Sequence, residues 1–382
     1  MFREMDLHLQ TPTTSSSSEG KVTGSAPSLY FPTLDGLRFC AFLLVFIHHL
    51  PRSSMPILGF LHDQGWVGVH IFLALSAYLL TAILGLEYAT KGSISLFRFY
   101  VRRALRIWPL YYAFCLIAFV TSIFIIESPW SVKHIARFSG LLTFTDNILC
   151  GINGYNFLPF SPHLWTISLE EQFYLVLPFL LRGWLRDRRA LVTGLLLVWV
   201  GFLAVRLLCV VFHAPHPLLW TSVFSADSLL IGTALGAINW RPTWTTPTRI
   251  LFIIGGLMGI FSGGFTPSLD LVGMHQVFIY SSVGIGTALI LLAALHEPLL
   301  AFLGAKPLRY LGKISYGLYV FHFFGIFIGR KLLSRAGTDN WWLLAFASLV
   351  ATVGLSVLSY EIFEKKFLQL KRRFETFHTR PV

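Results

Sequence analysis

Charged residues are scarce in this 382-residue chain, in which Asp, Glu, Lys and Arg together make up 13% of the sequence. A soluble domain carries roughly 25% charged residues. Hydrophobic residues reach 55% and aromatic residues 15%. This balance excludes an ordinary soluble domain and indicates an integral membrane protein, in which aromatic side chains pack against lipid and at the membrane surfaces.

Cysteine is also rare, and the motifs of several enzyme classes are absent. The four cysteines show no CxxC spacing, and the sequence contains no GxSxG, HExxH or P-loop motif. Closely spaced cysteines are typical of zinc sites and redox pairs, and the three motifs mark serine hydrolases, zinc proteases and nucleotide-binding proteins. We therefore expect no metal site, no disulfide framework and no permanently bound cofactor.

Acidic residues are outnumbered, with 18 Asp and Glu against 30 Lys and Arg and a formal net charge of +12. In a soluble protein this excess would suggest a nucleic-acid partner. Here the basic residues cluster between apolar segments, as the positive-inside rule requires of cytoplasmic loops. We therefore expect no nucleic-acid partner, and a multi-pass protein of the inner (plasma) membrane with both termini in the cytoplasm. Arg330, Lys331 and Arg335 fit this topology least well, because they fall on the outer side.

Long apolar segments follow one another from residue 34 onward. A membrane-spanning helix needs about 20 mainly apolar residues. The pattern predicts an all-α integral membrane protein, a bundle of about ten transmembrane helices. The predicted spans lie near residues 34–50, 65–87, 107–126, 163–182, 190–212, 218–238, 249–264, 275–295, 308–329 and 341–363. The connection 127–162 contains SVKHIARFSGLL, which is compatible with an amphipathic helix along the membrane surface.

The two ends of the chain differ from this apolar body. Residues 1–30 include the polar stretch TPTTSSSSEGKVTGSAPS, which predicts a disordered cytoplasmic tail. Residues 366–382 are rich in Lys and Arg and predict a basic cytoplasmic tail. The membrane domain is therefore expected to extend over residues 31–365.

The first apolar segment, TLDGLRFCAFLLVFIHHLP (33–51), carries an arginine near its start and two histidines at its end. On a helix, Arg38 and His49 are eleven residues apart, which returns to within about 20° of the same face, with a rise of about 16 Å. His48 falls off that face. The pair is compatible with one inward-facing path. Alternatively, Arg38 extends its head group to the cytoplasmic surface and His49 lies at the outer surface.

The same segment resembles the first-helix signature of the acyltransferase-3 family, membrane proteins that O-acylate sugars and other acceptors. In that signature an arginine is followed eleven positions later by an essential histidine, which correspond to Arg38 and His49. Further similarities follow in order along the chain, and together they cover about residues 30–375. They are GWVGVHIFLALSAYLLT (65–81), FRFYVRRALRIWPLYY (97–112), HLWTISLEEQFYLVLP (163–178), FSADSLLIGTALGAI (224–238), ISYGLYVFH (314–322) and SYEIFEKKF (359–367).

One residue departs from the family pattern. His70 stands where many members carry an aspartate, so an aspartate partner for His49 is not expected at that position. A histidine there is suited to relay a proton or to hydrogen-bond an acceptor hydroxyl. His70 is equally compatible with a structural role, in which its ring forms hydrogen bonds between packed helices.

The arginines clustered in FRFYVRRALRIWPLYY (97–112) predict an anion-binding site. Guanidinium groups donate bidentate hydrogen bonds to phosphate oxygens, and residues three apart are neighbours on a helix. With the resemblance, Arg102, Arg103 and Arg106 are expected to bind the phosphates of acyl-CoA. The alternative is that they only determine the topology of the membrane helices.

Two adjacent glutamates, Glu170 and Glu171, lie in an apolar segment where exposure of a charge to lipid is costly. Only one of them can face a given interior point, because neighbouring helical residues diverge by about 100°. Four roles remain open for these glutamates: they could orient a histidine, pair with Arg38, contact the substrate or form a structural ion pair. Asp227, Arg206, Ser315, Tyr316 and His322 are further polar residues within predicted spans, expected to line a cavity or to pack.

These features predict an O-acyltransferase that uses acetyl-CoA or another acyl-CoA and a hydroxyl-bearing, carbohydrate-like acceptor. His49 would act as general base or as a covalent acyl relay. The alternatives are a transporter or flippase for a polar lipid or acyl group, which would carry out no chemistry, and a structural membrane partner. The acceptor and the oligomeric state leave no signal in the sequence.

Overall fold

The computed structural model describes residues 30–125, 132–153, 158–184, 187–213, 225–238, 244–266, 273–295 and 299–377. Within these ranges the chain forms helices joined by turns and contains no strand. The helices are α1 Pro32–His49, α2 Pro56–Gln64, α3 Val67–Lys91, α4 Leu96–Ile125, α5 Val132–Leu142, α6 Asp146–Asn153, α7 Trp165–Trp184, α8 Arg188–Val211, α9 Asp227–Ile238, α10 Thr246–Ile260, α11 His275–Leu295, α12 Lys306–Lys313, α13 Ser315–Ala336, α14 Trp341–Ser359 and α15 Lys365–Arg372. The predicted N-terminal tail lies outside the described residues except for Tyr30, and so do residues 378–382.

The ends of the helices follow local sequence signals. Pro32 occupies the first turn of α1, where its missing N–H would have had no helical partner. Asp35 lies in the same turn and complements the positive end of the helix dipole. α3 and α13 both end at a glycine in the left-handed region, Gly92 with φ 69° and Gly337 with φ 65°.

Five helices are long and apolar enough to cross a membrane: Val67–Lys91, Leu96–Phe124, Arg189–Val211, His275–Leu295 and Trp341–Arg372. A sixth span is formed if α12 and α13, which meet at a bend of 75°, count as one broken span. The described part of the chain is therefore a helical, multi-pass membrane protein. The predicted bundle of about ten transmembrane helices is not confirmed.

The difference in number comes from short or polar helices. Each of the ten predicted segments contains a helix, but α9 and α10 have only 12 and 15 residues. Residues 218–224 of one predicted span lie outside the described residues. α1 carries Asp35, Arg38 and two histidines, and α7 carries two glutamates, which lower the hydropathy of both helices. The sequence prediction accepted segments that contain polar residues. A test by helix length and hydropathy does not accept them, so it supports fewer spans.

The amphipathic stretch between α4 and α7 forms a helix, α5, and is tied to α6. Arg137 of α5 is 3% exposed, and its Nε lies 3.2 Å from a carboxylate oxygen of Asp146. The same guanidinium donates to the carbonyl oxygen of Ser161 at 3.2 Å. These contacts fix the chain just before His163 and α7.

α1 lies at the centre of the bundle, where it packs against α2, α3, α11, α12 and α13. Two glycines allow its close approach to α3. A Cβ atom on Gly65 would collide with the carbonyl oxygen of Leu44, and one on Gly68 with that of Ala41. Small residues commonly allow helices of membrane proteins to approach this closely. As a result, both ends of α1 are surrounded by other helices.

Candidate active site

A cavity opens between α1, α3, α4, α7 and α13, and we call it the arginine cavity. It encloses about 1050 Å³ of space, including its open mouth. Its apolar wall comes mainly from α3. Its polar lining consists of Arg38, Ser76, Arg103, Arg106, Thr166, Glu170, Tyr174, Ser315, Tyr316 and Tyr319. Three guanidinium groups thus face one buried space.

Arg38 is paired within its own helix. It is 7% exposed, and its Nη1 lies 3.1 Å from Oδ1 of Asp35, one turn earlier. A buried arginine needs such a partner, because an isolated charge in a low-dielectric interior is costly. Arg38 is therefore a buried lining residue and does not extend to the membrane surface.

Arg103 and Arg106 differ from Arg38, because no carboxylate among the described residues forms an ion pair with either of them. The guanidinium of Arg103 lies 5.9 Å from the centre of the Tyr174 ring, and its Nε is buried without a hydrogen-bond partner. Donors left unsatisfied in this way favour an anionic ligand in the cavity.

Arg102 is already engaged elsewhere. Its Nη2 lies 3.3 Å from a carboxylate oxygen of Glu87, and its Nη1 donates to the carbonyl oxygen of Phe374 at 3.0 Å. It lines a smaller pocket beside the arginine cavity, together with Arg103 and Lys371. Of the three arginines expected to bind a donor, two therefore line the cavity and the third ties α4 to the C-terminal segment.

The adjacent glutamates point in different directions. Glu170 lines the arginine cavity and accepts a hydrogen bond from the hydroxyl of Tyr174, one turn later. Glu171 is not part of that lining, and one of its oxygens accepts a hydrogen bond from Nε1 of Trp108 at 2.9 Å. Only Glu170 is therefore placed to meet a molecule bound in the cavity.

His49 ends α1, outside the lining of the cavity, and is half-buried. Its Nδ1 lies 2.9 Å from the carbonyl oxygen of Val45 and 3.1 Å from Nε2 of His322. A carbonyl oxygen only accepts, so in the neutral ring the proton belongs on Nδ1. Within the described chain no hydrogen bond engages Nε2. That nitrogen keeps its lone pair and is the basic atom of the ring.

The other two histidines of interest lie elsewhere. His70 is buried, with Nδ1 3.3 Å from Oγ of Ser228 and its ring against Trp66 and Tyr280. It makes no contact with His49. His48 hydrogen-bonds through Nδ1 to the carbonyl oxygen of His62 at 2.7 Å, as expected for a residue off the Arg38–His49 face.

Tyr319 connects the cavity with the histidines. Its hydroxyl lies 2.6 Å from Oγ1 of Thr166 and donates to the carbonyl oxygen of His163 at 3.1 Å. Its own carbonyl oxygen lies 2.5 Å from Nδ1 of His322. Sequence reasoning did not single out Tyr319 or Thr166, although both lie in the segments HLWTISLEEQ and ISYGLYVFH that carry the family resemblance.

A buried ion pair lies outside the lining of the arginine cavity. Arg206 and Asp227 form a fully buried bidentate pair at 2.8 and 3.1 Å, which Ser281 joins at 2.5 Å from the carboxylate. In the described ranges no three His, Cys, Asp or Glu side chains are placed to hold a metal ion. The polar side chains gathered at the site are those of arginine, glutamate, serine, threonine, tyrosine and histidine residues.

These observations define a polytopic helical membrane protein with a buried basic cavity and a group of histidines beyond its inner wall. The chain belongs to the acyltransferase-3 family, whose acyltransferase domain matches residues 31–361. It is 28% identical over 361 residues to the peptidoglycan O-acetyltransferase OatA of Listeria monocytogenes, covering 88% of this chain and 55% of that protein.

Two other relatives carry similar names. A putative peptidoglycan O-acetyltransferase, YrhL of Bacillus subtilis, is 29% identical over 367 residues, covering 88% of this chain and 54% of that protein. The O-acetyltransferase OatA of Staphylococcus aureus is 29% identical over 315 residues, covering 77% and 50%. The chain thus spans about half the length of the curated relatives it matches. No solved structure matches the chain.

Proposed function

We propose that the protein is an O-acyltransferase that transfers an acyl group, most simply acetyl, from acyl-CoA to a hydroxyl of a carbohydrate acceptor. The observation that carries this proposal is that the guanidinium groups of Arg103 and Arg106 line one cavity and have no carboxylate ion-pair partner among the described residues, in a membrane protein of the acyltransferase-3 family. A large polyanion with an acyl arm is the kind of ligand that such a cavity suits.

In this proposal the donor enters from the cytoplasmic side. Its phosphates bind Arg103 and Arg106, and the pantetheine arm extends along the apolar wall of α3. The thioester then reaches the inner end of the cavity, where the hydroxyls of Thr166 and Tyr319 lie 2.6 Å apart. Both hydroxyls hydrogen-bond to the carbonyl oxygen of His163, and one of them would turn its proton towards the thioester carbonyl oxygen as negative charge develops on it.

His49 supplies the base. Its Nε2 takes the proton of the acceptor hydroxyl while the oxygen attacks the thioester carbon. A C–O bond forms, the C–S bond breaks, and the departing thiolate of CoA takes up the proton. A covalent relay remains an equal alternative, in which Nε2 attacks the thioester, CoA leaves, and the acceptor then removes the acyl group from His49.

The acceptor is proposed from the relatives. The names of the proteins from Listeria monocytogenes and Bacillus subtilis refer to peptidoglycan. We therefore propose peptidoglycan, or another cell-surface carbohydrate, as the acceptor class. This fits a plasma-membrane protein with cytoplasmic termini, which takes its donor from the inside and meets its acceptor near the outer end of α1.

The test uses the whole chain, purified in detergent or nanodiscs, with acetyl-labelled acetyl-CoA and peptidoglycan fragments. The expected result is label in the fragments and free CoA, both lost in His49→Gln and kept in His48→Gln. Normal turnover in His49→Gln would refute the role of this residue. Passage of label across a liposome membrane with the thioester intact would instead support a transporter and overturn the proposed function.

A further inference from the structure

A second histidine lies directly behind His49. His322 of α13 is fully buried, and its Nε2 is 3.1 Å from Nδ1 of His49. The two residues are 273 positions apart in the chain, so the contact depends entirely on the packing of α1 against α13. The sequence left the partner of His49 open, because position 70 carries a histidine where many family members have an aspartate.

The backbone determines the protonation of His322. Its Nδ1 lies 2.5 Å from the carbonyl oxygen of Tyr319, an atom that can only accept a hydrogen bond. In the neutral ring Nδ1 therefore carries the proton, and Nε2 presents its lone pair to His49. The hydrogen bonds then run in one direction: the Nδ1–H of His49 is shared between Nε2 of His322 and the carbonyl oxygen of Val45, and the Nδ1–H of His322 donates to Tyr319.

We propose that His322 is the positioning residue of His49: it accepts the Nδ1–H of His49, keeps Nε2 as the basic atom and stabilises the ring once Nε2 has taken a proton. This inference rests on the proposed function. In hydrolases with a Ser-His-Asp triad a carboxylate performs the same task. Within the described ranges no carboxylate hydrogen-bonds to either histidine, and the imidazole of His322 is the side-chain acceptor present.

Packing holds His322 in this orientation. The ring of His163 lies 4.5 Å from it, centre to centre, and that of Phe323 lies 4.6 Å away. His163 is 3% exposed, and both of its ring nitrogens are buried without a hydrogen-bond partner. The imidazoles of His49, His322 and His163 lie close together, so two positive charges among them would repel each other. The cluster therefore suits a neutral resting state that accepts a single proton at His49.

The kinetic test compares two substitutions that differ in one property. His322→Gln keeps an oxygen that can accept the hydrogen bond, whereas His322→Leu has similar bulk and no acceptor. We expect His322→Leu to lower kcat by about 10²-fold, the lower end of the contribution of general acid–base catalysis, with KM for acyl-CoA unchanged. His322→Gln should recover most of that loss. His48→Gln is the matched control, because it changes a neighbouring ring outside this chain of hydrogen bonds.

Two kinetic outcomes would overturn the inference. One is wild-type kcat in His322→Leu. The other is an equal loss in His322→Leu and His322→Gln, with both proteins folded, because this would mean that His322 matters only for packing.

A spectroscopic test does not depend on activity. In protein labelled with ¹⁵N-histidine, we expect His49 to carry its proton on Nδ1 and to show scalar coupling through the hydrogen bond to Nε2 of His322. His49→Gln and His322→Gln should each remove this coupling and so assign it. A proton on Nε2 of His49, or no coupling, would overturn the inference. Coupling together with no acyl transfer by the wild type would refute the proposed function alone.

Discussion

The guanidinium of Arg103 lies 5.9 Å from the centre of the Tyr174 ring, and the hydroxyl of that ring donates to Glu170. One guanidinium, one aromatic ring and one carboxylate of the arginine cavity thus form a connected group. Arg103 itself forms no ion pair with a carboxylate among the described residues. The cation remains available to a ligand.

Arg103→Gln is therefore expected to weaken donor binding. A hydrogen bond to a charged group contributes about 1.5–3 kcal/mol, so KM for acetyl-CoA should rise by about 10- to 100-fold. Acetyl-N-acetylcysteamine has the same thioester but no phosphates, and its KM should not change. Steady-state kinetics with both donors provides the measurement.

The matched control for this substitution is Arg98→Gln. Arg98 lies on the same helix but is exposed and does not line the cavity. It should leave both KM values near wild type. An equal rise for both donors in Arg103→Gln would show that the residue shapes the cavity without binding phosphate.

The two adjacent glutamates should respond differently to substitution. Glu170→Gln removes a charge that lines the cavity, and we expect turnover to fall by about tenfold or more, within the range for groups that act on proton transfer or orientation. Glu171→Gln changes a residue bonded to Trp108 outside the lining, so the loss should be smaller. Initial rates at saturating donor, normalised to folded protein, decide between them. A larger loss in Glu171→Gln would contradict this reading of the cavity.

The directions in which adjacent residues of one helix face were predictable from the sequence. Helical periodicity alone indicates that Glu170 and Glu171 diverge and that His48 leaves the face of His49. Long-range relationships were not: the contact of His49 with His322, and that of Tyr319 with Thr166, depend on how separate helices pack. The predicted number of spans is not confirmed, because apolar segments predict helices better than they predict membrane crossing.

The loop after α1 is closed by an exposed ion pair outside the membrane spans. Arg52 contacts Asp63 of α2 at 2.9 Å. The hydrogen bond from Arg52 lowers the pKa of Asp63 to about 2, below its usual range. A depressed carboxyl pKa means that the contribution of the pair is present above the unfolded pKa of about 3.9 and is lost as the pH falls through about 2.

We therefore expect the carboxyl of Asp63 to titrate with a midpoint near 2 in the wild type. In Arg52→Gln it should move toward about 4, the value of an unperturbed aspartate. NMR titration of ¹³C-labelled aspartate carboxyls measures both values. A wild-type midpoint near that of free aspartate would mean that the pair does not form in solution.

The buried pair of Arg206 and Asp227 should govern stability without governing catalysis. Both residues are fully buried, and neither lines the arginine cavity. Asp227→Ala leaves an uncompensated buried guanidinium, which typically costs about 3–5 kcal/mol. We expect a marked fall in the unfolding midpoint in detergent, with near-normal turnover per folded molecule at low temperature. Glu361→Ala, which breaks the exposed pair with Lys365 at 2.8 Å, is the control and should change stability by no more than about 0.5 kcal/mol. A folded Asp227→Ala protein with wild-type stability and no turnover would instead place this pair in the catalytic machinery.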